Sequence, residues 1–151
     1  MTDRPPNIFA VSACLLGIRC RYNGGHQLNP KVAEFLKGRR IVPVCPELLT
    51  GLAIPRPPAE IVSGSGPAVL AGEARVKLAD GTDVTEAFLH GAKEAMQWVQ
   101  LAGATHAILK ERSPSCGVRQ IHQQGKVVAG QGVLAALLDE AGIEIISEEE
   151  M

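Results

Sequence analysis

The sequence predicts an α/β protein: a three-layer domain with a mostly parallel sheet. Short apolar runs alternate along the chain with stretches that have helical periodicity. This alternation is typical of parallel sheets covered by helices on both faces. The chain has 151 residues, of which 46% are hydrophobic and 21% charged. That composition is enough for one substantial core, so residues 1–151 are expected to form a single domain.

The first part of the chain predicts two strands and one helix. Residues 8–13 form a short apolar run that suits a buried strand. Asn29 and Pro30 then begin a helix as N-cap and first helical residue, and Gly38 ends it. Residues 41–44 predict a second strand, in which Pro43 favours a sheet edge or a strand end. The proline-rich stretch at 46–58 predicts irregular structure.

The second part predicts a longer helix and further strands. Residues 63–67 predict a loop, and 74–78 a short strand. Asp83 followed by Glu86 predicts a capping box that starts a long helix, which Gly103 ends. Additional elements are a strand at 106–109, a loop at 110–117, a short stretch at 126–129, a helix at about 133–141, a strand at 143–146 and a solvated acidic tail at 148–150.

Charge and hydropathy exclude several classes of partner. The net charge is −1 and there is no dense Lys/Arg run, which argues against a nucleic-acid polymer. No apolar stretch approaches the roughly 20 residues that span a bilayer, and residues 1–6 are too polar for a signal peptide. We therefore expect no membrane partner and a cytoplasmic location. In that reducing compartment, metal binding or catalysis is a better expectation for four cysteines than disulfides.

Three cysteines follow predicted strands. Cys14 and Cys45 come directly after the first two apolar runs, and Cys116 lies in the loop after the third. Ligands of open parallel sheets bind at the carboxyl ends of the strands. The sequence therefore predicts that three thiols from distant parts of the chain meet at one edge of the sheet.

Several chemistries remain open for these thiols. Structural zinc is disfavoured because the chain has no C-x₂-C pair. An iron–sulfur cluster with three protein ligands would leave one iron open as a Lewis acid. A metal-free alternative uses Cys14 or Cys116 as a nucleophile or persulfide carrier with Cys20 as resolving thiol, although no histidine adjoins a cysteine. Packing as a small hydrophobe would explain any single cysteine but does not explain all three. For Cys20 we favour such packing beneath its loop over a place near the site as a spare thiol.

Polar neighbours favour a functional role for the cysteines. Glu47 follows Cys45 by two positions, where partial burial would raise its pKa toward a useful acid/base value. Ser113 and Ser115 flank Pro114 and could position a substrate or water, or serve only as turn residues.

A glycine pair offers a second interpretation. Residues 130–132, followed by Ala135, match a dinucleotide-binding fingerprint. This short match is a weak signal for an alternative function as a nucleotide-binding module. Only about twenty residues remain downstream, too few for the rest of such a unit. A tight turn into the last helix, whose N-terminus could hold an anion, is the simpler interpretation.

Several motifs, in order, resemble the thiouracil desulfidase family over about residues 8–146. They are Ser12-Ala13-Cys14-Leu15-Leu16-Gly17, Cys20-Arg21-Tyr22, Cys45-Pro46-Glu47, Pro55-Arg56-Pro57, Ala59-Glu60, Asp83-Val84-Thr85 and Lys110-Glu111-Arg112-Ser113-Pro114-Ser115-Cys116-Gly117.

The resemblance implies a Rossmann-like domain that binds a [4Fe-4S] cluster through Cys14, Cys45 and Cys116. It also implies removal of sulfur from a small thiolated substrate such as 2-thiouracil, giving uracil and hydrogen sulfide. Glu47 and Ser113 map onto the family's catalytic helpers. The thiocarbonyl sulfur would bind the open iron, and Glu47 would act as acid or base without net electron transfer.

For substrate contacts we predict Ser115, Arg56 and Tyr22. Arg56 could instead hold Glu47 or Glu60 in place.

Overall fold

The computed structural model describes residues 7–151, so the polar start at residues 1–6 lies outside the described part. Residues 7–151 contain eight strands and four α-helices. In chain order they are β1 (Ile8–Ser12), α1 (Pro30–Leu36), β2 (Arg40–Val44), β3 (Ala59–Val62), α2 (Gly66–Leu70), β4 (Arg75–Leu78), α3 (Thr85–Ala102), β5 (His106–Leu109), β6 (Gln120–Gln123), β7 (Lys126–Ala129), α4 (Val133–Glu140) and β8 (Glu144–Ser147).

The main sheet has four parallel strands in the order β2-β1-β5-β8. The last residues of β1 and β2 are in register, with Ser12 opposite Val44. β2 lies at an edge, as the proline within it predicted. Because all four strands point the same way, the loops that follow β1, β2 and β5 leave from the same edge of the sheet.

Helices cover both faces of this sheet. On one face, Phe9 and Val11 of β1 pack with Val32 and Leu36 of α1. On the other face, alternate sheet residues join a larger core with α3 and α4. The predicted three-layer α/β architecture with a parallel sheet is therefore confirmed. No helix within residues 7–151 is long and apolar enough to span a membrane.

Two antiparallel hairpins, β3–β4 and β6–β7, lie outside the main sheet. The hairpins are joined by the Gln123 side-chain amide, which donates to the carbonyls of Ile61 and Gly64 at 3.0 and 2.9 Å. β6 was not predicted, and the stretch at 126–129 pairs with it rather than with the parallel sheet.

The predicted capping box of the long helix is wrong. α3 begins at Thr85 with Val84 at the N-cap position and has no side-chain cap. The Asp83 carboxylate is instead held by Arg75 of β4, at 2.8 and 3.2 Å, while it also accepts from the Thr85 N–H. The helix therefore starts two residues after the carboxylate that was expected to cap it.

Three other local predictions are corrected by the structure. The predicted loop at 63–67 runs into the short helix α2, whose second residue is Pro67. The proline-rich stretch at 46–58 contains one 3₁₀ turn, Leu48–Thr50. The acidic tail is not a solvated terminus: it forms a 3₁₀ helix, Glu148–Glu150, capped by Ser147 and paired with cations of the loop after β5. These pairs hold the tail against the protein.

Candidate active site

A cavity of about 350 Å³ opens at the carboxyl ends of β1, β2 and β5, and all four cysteines line it. Its size is that of a site for a small organic molecule. Cys14, Cys45 and Cys116 are thus brought together as the strand ends predicted. Glu47, Ser113 and Tyr22 line the same cavity.

Cys14 lies in a 3₁₀ turn, Ala13–Leu16, that follows β1 without a break. The turn ends at Gly17, whose φ of 88° lies in the left-handed region that favours glycine. The Cys14 carbonyl accepts from the Gly17 and Gln27 N–H groups, which fixes the turn from both sides. Cys45 follows β2 in the same way, and its carbonyl accepts from the Leu48 N–H.

Cys20 was expected to pack beneath its loop, and the structure corrects this. Its side chain is buried but lines the cavity. Its carbonyl accepts from the Cys45 thiol at 3.8 Å and from Arg56 Nη2 at 3.1 Å. The left-handed turn at Gly17 brings Cys20 back toward Cys14, and the glycine between the two cysteines was the sequence signal for this reversal.

Cys116 is placed by the loop that follows β5. The Ser113 hydroxyl oxygen accepts from the N–H groups of Ser115 and Cys116 at 3.0 and 3.1 Å. The next turn packs on the start of α4, where the Val133 and Leu134 N–H groups donate to the carbonyls of Pro114 and Ser115 at 2.8 and 2.9 Å. The loop is therefore held by its own serine and by a helix N-terminus.

The same contacts argue against the nucleotide-binding alternative. The first N–H groups of α4, which a phosphate would need, already donate to Pro114 and Ser115. The strand before this helix belongs to a hairpin rather than to a βαβ unit. Gly132 is instead required by the close approach of the Cys116 loop, because a Cβ there would lie 2.7 Å from the Cys116 nitrogen.

Two buried carboxylates hold the loop in place. Glu111 Oε1 accepts from three successive N–H groups, of Val118, Arg119 and Gln120, at 2.8 to 3.0 Å. Burial alone would raise the pKa of Glu111, but these N–H groups hold that pKa below its ordinary value.

Glu148 of the acidic tail is the second of these carboxylates. It accepts from the Glu111 N–H at 2.7 Å and pairs with the Lys110 ammonium at 3.4 Å. No sequence signal suggested that the tail would reach this loop.

Glu47 is the carboxylate closest to the thiols in sequence and lines the cavity with them. Its Oε2 lies 3.6 Å from Nη2 of Arg56, whose side chain is only 4% exposed. Burial raises the pKa of Glu47 above its ordinary value, and the charges of Arg56 and Arg21 offset part of that increase. The carboxyl group is therefore suited to gaining and losing a proton.

Two predicted substrate contacts lie away from the cavity wall. Arg56 is buried behind Glu47, where its Nη1 has no hydrogen-bond partner among the described residues. Ser115 is buried as well, and its carbonyl faces the start of α4. Of the three predicted contacts, Tyr22 alone lines the cavity. The centre of its ring lies 5.6 Å from the guanidinium carbon of Arg21.

The surroundings of Cys20, Cys45 and Cys116 oppose the ionisation of these three thiols. The hydrogen bond to Cys14, together with burial, raises the pKa of Cys20 to about 11. The hydrogen bond to Cys20 and burial raise the pKa of Cys45, and burial raises that of Cys116. A bound metal centre would reverse this effect, because its positive charge deprotonates coordinating thiols. Within residues 7–151, no three His, Cys, Asp or Glu side chains already stand at ligating spacing.

Comparison with known proteins identifies the family. The family model described as 2-thiouracil desulfurase matches residues 9–150. The chain belongs to the 2-thiouracil desulfurase family. The resemblance drawn from the sequence motifs is thereby confirmed, and the protein is an enzyme of the thiouracil desulfidase kind.

Two relatives extend the comparison. The chain is 46% identical over 144 residues to the uncharacterized protein YbbK of Bacillus subtilis (strain 168), covering 93% of this chain and 95% of YbbK. A solved structure of the [4Fe-4S]-dependent thiouracil desulfidase TudS is 36% identical, with a TM-score of 0.82 and coverage of 96% of this chain and 93% of TudS. The desulfurase fold therefore extends over almost the whole chain.

Proposed function

We propose that this enzyme removes sulfur from a thiolated nucleobase such as 2-thiouracil and releases it as sulfide. The reaction replaces a thiocarbonyl sulfur with the oxygen of water, so it needs no net electron transfer. The observation that carries the proposal is the convergence of Cys14, Cys45 and Cys116 on one cavity beside Glu47. Similarity to the [4Fe-4S]-dependent desulfidase TudS supports it.

The donor set suits an iron–sulfur cluster. Thiolates are the usual protein ligands of such clusters. We assign Cys14, Cys45 and Cys116 as ligands because each follows a different strand of the main sheet and all three line the cavity. When bound through three thiolates, a [4Fe-4S] cluster supplies an iron without a protein ligand, a Lewis acid that polarises the carbon–sulfur bond of a soft thiocarbonyl group.

Glu47 is proposed as the acid/base group. Its carboxyl group lines the cavity, and burial raises its pKa, so it can take a proton from a water that attacks the thiocarbonyl carbon. The same proton can then pass to the departing sulfur or to a ring nitrogen. Arg56 holds the carboxyl group from behind. We therefore assign Arg56 to positioning Glu47 rather than to substrate contact.

Ser113 is proposed as a hydrogen-bond donor to the substrate. Its oxygen already accepts from two backbone N–H groups, of Ser115 and Cys116. Since a hydroxyl oxygen has two acceptor lone pairs, what remains for the cavity is the hydroxyl proton. Ser113 is accordingly suited to orient a substrate acceptor and poorly suited to act as a nucleophile. Ser115, buried behind the loop, is assigned to holding Cys116, and Tyr22 to contact with the substrate ring.

We further propose that the enzyme acts in the cytoplasm on a small molecule rather than on a nucleic-acid polymer. A reducing compartment keeps the four thiols available. The net charge of −1 disfavours binding to a polyanion, whereas the cavity volume suits a single nucleobase. The family match over residues 9–150 supports a single domain.

The proposal is tested by anaerobic reconstitution with iron and sulfide. We expect a brown protein that releases sulfide from 2-thiouracil, and we expect Cys45→Ser to lose both the iron and the activity. Cys20→Ser is the matched control because Cys20 lines the same cavity without being assigned as a ligand. Its iron content should stay close to that of the wild type.

Two outcomes would contradict the proposal. Desulfuration by a colourless protein without iron would establish metal-free sulfur transfer through the cysteines instead. Iron loss from Cys20→Ser but not from Cys45→Ser would overturn the ligand assignment. A panel of thiolated pyrimidines, purines and nucleosides, assayed for sulfide release, would define the substrate.

A further inference from the structure

Arg21 stands apart from the other charged side chains that line the cavity. Lys110 pairs with Glu148 at 3.4 Å, and Arg112 pairs with Glu149 through two contacts of 2.7 and 2.8 Å. Among the described residues, Arg21 has neither an ion-pair partner nor a side-chain hydrogen bond. It is therefore the one permanently charged cation of the described cavity wall whose donors are free.

The acidic side chains of the cavity are already engaged. Glu47 is paired with Arg56, and Glu111 accepts from three backbone N–H groups. Glu60 accepts from the Gln124 N–H at 2.6 Å. No carboxylate of the described wall is left to neutralise Arg21, although its charge acts on Glu47. A half-buried guanidinium without a partner favours an acceptor that arrives with the substrate.

The position of Arg21 also limits its orientation. Its guanidinium carbon lies 5.6 Å from the centre of the Tyr22 ring, within the range of a cation–π contact. Its backbone is held in a turn, because the Arg21 N–H donates to the Gly25 carbonyl and the Gly24 N–H donates to the Arg21 carbonyl. The arginine is thus mounted on an ordered turn beside the aromatic ring at the cavity wall.

We propose that Arg21 determines substrate specificity by donating hydrogen bonds to a carbonyl oxygen on the substrate ring, away from the sulfur. The guanidinium fork presents several N–H donors in one plane, which suits the edge of a flat oxygen-bearing heterocycle. The favoured ligand class is a planar thio-heterocycle that also carries a ring carbonyl. This inference rests on the proposed desulfuration and adds a recognition group to it.

The test compares two variants of one loop on two substrates. Arg21→Gln removes the cavity cation, while Arg19→Gln removes an exposed cation two residues earlier that does not line the cavity. Both variants change the net charge equally. The substrates are 2-thiouracil and 2-thiopyrimidine, which lacks the carbonyl oxygen. If 2-thiopyrimidine is not turned over, its inhibition constant against 2-thiouracil is measured in its place.

We expect Arg21→Gln to lower kcat/KM for 2-thiouracil by about tenfold to hundredfold, the loss typical of one charge-assisted hydrogen bond. The value for 2-thiopyrimidine should change less than about threefold, and Arg19→Gln should change neither. Iron content and melting temperature of Arg21→Gln should match the wild type.

Equal losses on both substrates, or a loss no larger than that of Arg19→Gln, would overturn the inference while leaving the desulfuration intact. Failure of the reconstituted wild type to release sulfide from 2-thiouracil would instead count against the proposed function itself.

Discussion

Replacing Gly132 with alanine should destabilise the protein and displace the loop that carries Cys116. Gly132 is the N-cap residue of α4, and its φ of −73° is open to any residue. The obstacle is contact: a Cβ at this position would lie 2.5 Å from the carbonyl oxygen of Ser115 and 2.7 Å from the nitrogen of Cys116. Both neighbours are backbone atoms, so neither can turn aside as a side chain would. The loop or the helix has to move.

The expected cost can be worked out from these contacts. Forcing an extra methyl group into a packed site costs about 1–3 kcal/mol. Separating the loop from α4 would also weaken the bonds from the Val133 and Leu134 N–H groups, now 2.8 and 2.9 Å long. Each is worth about 1 kcal/mol, which brings the total to roughly 3–5 kcal/mol. For a chain of this size, that corresponds to a fall in Tm of about 10 °C.

Thermal and urea unfolding of the metal-free protein provide the assay, with Gly142→Ala as control. Gly142 has a φ of 80°, and no atom lies within 4 Å of the position that a Cβ would take, so alanine there carries backbone strain without a clash. That strain costs about 1–2 kcal/mol. Iron loading of Gly132→Ala should fall as well, because Cys116 moves with its loop. If Gly132→Ala were as stable as Gly142→Ala and loaded iron like the wild type, the reasoning would be refuted.

Three further predictions concern the same loop. Ser113→Ala leaves two N–H groups without their acceptor and should lower the free energy of unfolding by about 1–3 kcal/mol. Ser113→Thr keeps the hydroxyl and should retain most of the stability, and urea unfolding distinguishes the two variants. Glu148→Gln should lower the free energy of unfolding by about 3–5 kcal/mol because it removes the buried charge that pairs with Lys110. Glu149→Gln, which breaks a more exposed pair, is the control, and equal Tm values for the two variants would argue against this reasoning. Because the pKa of Glu111 is lowered by folding, its stabilising contribution is complete above its ordinary value of 4.5 and is lost as pH falls through the folded-state pKa. The difference in Tm between wild type and Glu111→Gln should therefore shrink between about pH 7 and pH 3, and a constant difference would contradict the assignment.

The cysteine convergence could be predicted because it depends on local signals. Apolar runs mark strands, and parallel strands place their carboxyl ends together, so Cys14 and Cys45 had to emerge at one edge if both runs were strands of one sheet. The edge position of β2 could also be predicted from a local signal, because Pro43 lacks the N–H that an inner strand needs. The family motifs then supplied the chemistry that spacing alone left open.

The remaining features depend on contacts between distant residues. The Glu111 N–H donates to a carboxylate 37 positions later in the chain, and Arg56 Nη2 donates to the carbonyl of Cys20, 36 positions earlier. The periodicity of a sequence does not indicate contacts between residues so far apart. The acidic tail was therefore interpreted as solvated and Arg56 as a substrate contact. Asp83 shows the same limit at short range, because Arg75 of the neighbouring hairpin competes for the carboxylate that a local pattern assigned to a cap.

The distribution of partners around the cavity separates groups that hold the site from groups that act in it. Glu111 accepts from three backbone N–H groups and Glu148 accepts from the Glu111 N–H, so both carboxylates are committed to holding the loop. Glu47 has a single ion pair of 3.6 Å, and Arg21 has none within the described residues. Charged groups at the cavity wall that are incompletely paired can respond to charge that develops on a bound molecule. The groups with unfilled hydrogen-bonding capacity are therefore the ones whose substitution should change turnover more than stability.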